Sequence, residues 1–186
     1  MCLNILRNPV KSLLEAKKKK NMNKTLLVLV ENSVLFGIAA ALIIARIGFS
    51  GLLLGSAAAT FLVILIGILL FGLVVHISAT TLGGKGKYFE GLTAVTYAMT
   101  PMSVGIFVSS LLALVPLTAG LQVIVLALSF ALGFSLLYRG IKELYSTDMI
   151  TAFVVVSIAI LVIFISIYAS LGLSLLGRVA SMGMMY

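Results

Sequence analysis

The sequence predicts an all-α fold, a polytopic membrane helical bundle of five transmembrane helices preceded by an N-terminal amphipathic interfacial helix. Three observations carry that expectation. Five long apolar runs cover most of the 186 residues. The chain is 62% hydrophobic and only 10% charged, with a mean hydropathy of +1.27, so it has too little polar surface to coat a soluble domain. Positive charge is confined to alternate gaps between the runs. Of thirteen Lys and Arg residues, eleven (Arg7, Lys11, Lys17, Lys18, Lys19, Lys20, Lys24, Lys85, Lys87, Arg139, Lys142) fall on one side of a five-pass arrangement, against Arg46 and Arg178 on the other. Lys/Arg bias in short loops orients the positive side toward the cytoplasm, which places the N-terminus there and the C-terminus in an extracytoplasmic or lumenal space. The spans should be helices, because an open strand in lipid leaves backbone groups unsatisfied and no segment alternates as a barrel strand does.

Residues 1–24 form the cytoplasmic basic segment. Asn8 can cap a helix whose first position is Pro9, where a missing N–H costs nothing. Val10, Leu13 and Leu14 then share one face while lysines supply the polar side, the pattern of a helix lying on the inner leaflet. Near anionic lipid each basic residue adds roughly 1 kcal/mol, so the run Lys17, Lys18, Lys19, Lys20 could anchor the segment by itself.

The five-helix domain follows over residues 25–172, with spans expected at Thr25–Ala45, Leu52–Ile77, Gly91–Val115, Leu117–Tyr138 and Met149–Leu171, each close to the ~20 residues that cross a bilayer. The first is longer than a secretory h-region and reads as a retained signal anchor. It holds Glu31 about two turns in, roughly 9 Å deep at 1.5 Å per residue. Ionisable residues in spans face a bundle interior and find partners, so Glu31 is expected to approach His76 or Arg139, which lie toward the cytoplasmic ends of the second and fourth spans. Gly51, Gly55 and Ala59 make a small-residue stripe in the second span, a surface on which helices in lipid can approach closely; Gly37 and Ala41 repeat the spacing in the first. Pro101 sits in the middle of the third span, where it removes a helix bond and frees the carbonyl of Tyr97, with Thr96, Thr100 and Ser103 nearby to satisfy freed groups. Residues 173–186 are too short to span and are expected to rest as a tail at the outer interface.

These residues exclude several classes of function. Basic residues flank apolar spans and do not interleave with aromatics in a soluble patch, so nucleic acid is not an expected partner. The loop Leu82-Gly83-Gly84-Lys85-Gly86-Lys87-Tyr88-Phe89 is rich in glycine and lysine, yet it lacks the GxxxxGK[ST] spacing and a preceding strand, so Lys85 and Lys87 are expected to touch lipid phosphates or a partner. One histidine, Cys2 and five acids (Glu15, Glu31, Glu90, Glu143, Asp148) supply neither a nucleophile elbow nor a metal-ligand pair. No enzyme, cofactor or metal is expected.

Arg7-Asn8-Pro9-Val10 before a basic helix, Gly83-Gly84-Lys85-Gly86 leading to Tyr97-Ala98-Met99-Thr100-Pro101, and Gly140-Ile141-Lys142-Glu143-Leu144-Tyr145-Ser146 after the fourth span resemble the Yip domain family. The resemblance covers nearly the whole chain and implies a five-pass helical membrane protein with a cytoplasmic N-terminus. In eukaryotes the family is linked to Ypt/Rab small GTPases, to related Yip proteins and to vesicle traffic. Those relatives carry a longer N-terminal region than residues 1–24, and the compact form resembles a prokaryotic, archaeal-like member. Expected partners are therefore anionic inner-leaflet lipids, then a second copy or another membrane protein, with a small GTPase the weakest of the set. The leading expectation is a non-enzymatic membrane scaffold. The alternative is a small ion or solute transporter or channel using Glu31 and the Pro101 kink.

Overall fold

The computed structural model describes residues 15, 22–48, 51 and 53–183. Five α-helices follow one another: α1 (Met22–Ile47), α2 (Leu53–Thr81), α3 (Tyr88–Leu112), α4 (Ala119–Tyr145) and α5 (Met149–Gly183), with a 3₁₀ turn, Pro116–Thr118, leading into α4. All five are long and apolar enough to cross a membrane. The amphipathic segment and Lys17, Lys18, Lys19 and Lys20 lie outside the described residues.

Helix ends follow caps and turn geometry more than apolarity. α2 continues four residues past its expected end, to Thr81, and stops where Gly83 adopts φ +90°, a conformation that suits a residue without Cβ. The Lys87 backbone N–H donates to Glu90 Oε2 at 2.8 Å and so opens α3. α4 runs on through Arg139 and Lys142 to Tyr145 and ends at Ser146, φ 53°. Asp148 caps α5, its Oδ2 accepting from the N–H groups of Ile150 (3.1 Å) and Thr151 (3.2 Å). The Thr151 hydroxyl first, and then these backbone donors, hold the Asp148 carboxyl below its ordinary range. α5 is 35 residues long and continues past Leu171 to Gly183.

α3 is the central post. α1, α2 and α4 all pack against it, α1 also packs on α2, and α5 lies across α2 and α4. The core runs through Val28, Val75, Val95, Tyr97, Ile141 and Val155, each fully buried. Close approaches occur where one helix presents glycine. At Gly72 an added Cβ would sit 3.1 Å from the Leu92 Cα, and at Gly91 it would sit 2.8 Å from the Gly72 carbonyl oxygen, so α2 and α3 cross nearly backbone to backbone. At Gly37 it would sit 2.9 Å from the Ala57 carbonyl, which brings α1 onto α2. Gly105 and Gly133 do the same for α3 and α4, against Ser129 and the Ala98 carbonyl. Gly51 and Gly55 meet nothing within 4 Å, and Gly55 and Ala59 are exposed, so that stripe faces away from this bundle.

Candidate functional site

The end of the bundle that carries the 82–87 loop is organised by Tyr145. This residue closes α4 and is fully buried. Its carbonyl accepts from the Lys85 N–H at 3.2 Å, tying the loop to the helix. Its hydroxyl lies 3.3 Å from the Lys87 carbonyl and 3.1 Å from His76 Nδ1 on α2. A carbonyl only accepts, so when the phenol donates to Lys87 its lone pair receives the Nδ1–H of His76. One tyrosine thereby joins α2, the loop and α4.

In the Gly83-Gly84-Lys85-Gly86 run, Gly84 and Gly86 are explained by that ring. A Cβ at Gly84 would come within 3.2 Å of the Tyr145 ring, one at Gly86 would overlap it, and one at Gly91 would stand 2.6 Å from its hydroxyl. The Gly84 N–H also closes back on the Ala79 carbonyl at 2.8 Å. The His76 ring packs between Tyr145, centroids 6.1 Å apart, and the edge of Tyr88 at 6.2 Å, while the Tyr88 hydroxyl donates to the Leu69 carbonyl at 2.9 Å. Lys85 and Lys87 remain exposed on this pinned loop. The arrangement pins the backbone of the loop that carries the two lysines.

A second polar assembly lies deeper, between α1 and α3. Thr93, Thr96, Thr100 and Ser103 recur at helical spacing on one face of α3, and Thr25 and Asn32, seven apart, face them from α1. Thr25 and Thr93 hydroxyls are 3.3 Å apart. The Asn32 amide donates to the Thr96 carbonyl at 2.8 Å and accepts from the Ser103 hydroxyl at 2.9 Å, with the Thr100 hydroxyl 3.5 Å from its nitrogen. α3 runs through Pro101 as one continuous helix, and Thr100 Oγ1 donates to the Thr96 carbonyl at 3.3 Å. Thr96 Oγ1 and Tyr97 OH are buried with no hydrogen-bond partner among the described residues.

The expected sites divide among these places. His76 belongs to the Tyr145 assembly, its described contacts being with tyrosines. Glu31 is half-buried on α1 beside Asn32, and Arg139 is exposed on α4. Tyr97 and Pro101 are buried in α3. Among the described residues no three His, Cys, Asp or Glu side chains gather as a metal site. Asn32 and Tyr145 are the residues that sequence reading missed. Asn32 had a signal, an amide inside an apolar span seven residues from a threonine; Tyr145 had only its place in the motif after the fourth span.

Two of the motifs that carried the family resemblance, the glycine loop and the Gly140–Ser146 segment, are thus partners in one contact. No curated protein matches the chain, and no solved structure does. The model of the Yip1 domain matches residues 3–171, nearly the whole chain, and the protein belongs to that family of multipass membrane proteins.

Proposed function

We propose that this protein is a non-enzymatic integral membrane scaffold that works in membrane organisation or vesicle traffic through the lipids and proteins it holds at its loop end. The carrying observation is the Tyr145 clasp. It ties the glycine loop by two polar contacts and α2 by a third, and leaves Lys85 and Lys87 exposed on the loop. A rigid loop presents its charges without losing much freedom when a partner arrives, which is where preorganised binding gains affinity. The bias of Lys and Arg toward this end supports a cytoplasmic orientation for it, where anionic headgroups would complement it. A second copy or another membrane protein is the protein partner this reading favours, and a Ypt/Rab-type GTPase is a weaker one.

The test replaces both lysines with glutamine in the full chain and counts the anionic phospholipid and protein that copurify in mild detergent. Two lysines at roughly 1 kcal/mol each correspond to about a thirtyfold fall in affinity for anionic lipid. Unchanged lipid and unchanged partners in the double variant would remove this reading.

Thr96 Oγ1 and Tyr97 OH, buried on α3 without a partner among the described residues, favour a second reading, a small transporter. On that reading Glu31→Gln abolishes flux through reconstituted protein. It is the weaker of the two because α3 is unbroken at Pro101.

A further inference from the structure

A large apolar groove runs along the side of the bundle, away from both polar assemblies. Its volume is about 690 Å³. α3 forms the floor from Val95 to Ile106, α2 one wall from Val63 to Val74, α4 the other from Phe130 to Leu137, and α5 the cover from Val162 to Ser166. The cause is how α5 sits. Ala152, Val155, Val156 and Ala159 are buried against the bundle, so the first turns of α5 pack tightly. Farther along, Leu161, Phe164 and Ile165 are exposed, and α5 touches the bundle too sparsely to fill the space between α2 and α4.

We infer that this groove is a binding site for the acyl chain of a membrane phospholipid. The first argument is depth. The wall on α2 and the floor on α3 each cover eleven helical steps around the middle of a membrane-spanning helix, roughly 16 Å of axis. At that depth the surroundings are hydrocarbon, and a lipid reaches it only with its tail. The lining agrees. Its one polar side chain, Ser166, donates to the Val162 carbonyl of its own helix at 2.8 Å, so the lining offers a headgroup nothing to bind.

The groove's volume lies within the usual range for small-molecule sites, and a flexible chain of methylenes fits a site of that size. Met99 and Met102 on the floor adapt their shape to such a chain, because an unbranched thioether repacks at little cost. Gly67 on the wall leaves the groove open, since a Cβ there would meet no atom within 4 Å. A larger side chain at 67 therefore fills the site without disturbing the helix contacts around it.

The inference needs only a membrane-spanning bundle and is independent of the scaffold role. It is tested with the full chain reconstituted in phosphatidylcholine vesicles that contain phosphatidylcholine bearing a diazirine in mid-chain. After illumination, wild type should be labelled on peptides holding Met99 and Met102, and Gly67→Phe should lower that labelling several-fold. Labelling at Phe153, exposed on the other face of α5, should be unaffected. Gly67→Leu serves where Gly67→Phe does not elute as a single folded species. Floor peptides unlabelled in wild type, or labelled equally in the filled variant, would overturn the proposal. So would a cross-linked dimer that the filled variant abolishes, because the occupant would then be a second copy.

Discussion

Tyr145 shows how much one side chain can tie together. Its ring fills the space that three glycines leave, and its hydroxyl serves α2 and the loop together. Tyr145→Phe keeps the ring and removes the hydroxyl, so it should lower the stability of the purified protein by about 1 kcal/mol. A lower thermal midpoint in detergent, with faster tryptic cleavage after Lys85 and Lys87, would show it; an unchanged cleavage rate would mean that the ring alone holds the loop. The sequence displayed both halves of this contact, as a glycine loop and as a segment after the fourth span. What joined them was invisible, because 58 residues separate Lys87 from Tyr145 and no periodicity links positions so far apart. Asn32 was hidden for another reason. Its neighbour Glu31 bears a charge and drew attention, yet the amide can donate and accept at once and so bonds two groups on α3.

At the scale of the helix, length and apolarity were sufficient to find all five spans, since few other segments can satisfy their backbone in lipid. The ends were less legible. Arg139, Lys142 and Glu143 looked like the start of a loop because they are charged, but all three are good helix formers and α4 continues through them. Which small residues make contacts was also unreadable, because GxxxG spacing marks a face and not its partner. Gly91→Ala and Gly55→Ala separate the two kinds. The first forces a methyl against the Gly72 carbonyl and the Tyr145 hydroxyl and should destabilise by about 1–3 kcal/mol. The second adds a methyl to open space and should be neutral or slightly stabilising in the same melting experiment. A loss at Gly55 equal to that at Gly91 would indicate that the outer stripe is covered by something beyond this chain.

For the whole molecule, the arrangement of charge predicts a single orientation. In a Cys2→Ser background, Leu117→Cys, at a position 97% exposed in the turn before α4, should react with a membrane-impermeant maleimide added to intact cells. Lys85→Cys, at the opposite end, should react only after the cells are opened. The reverse pattern would invert the bundle and move the lysine loop away from the cytoplasmic leaflet. The central position of α3 also bears on how the protein is made. It is the least apolar of the five helices and the most enclosed. During synthesis α1 and α2 emerge before it, so the amide and hydroxyls that satisfy its polar face are already in the membrane when α3 leaves the translocon. Its opposite face waits for α4. For the interval between the two, Gly105 and the nearby serines are uncovered, and the nascent chain is then most dependent on whatever machinery shelters a half-polar helix from lipid.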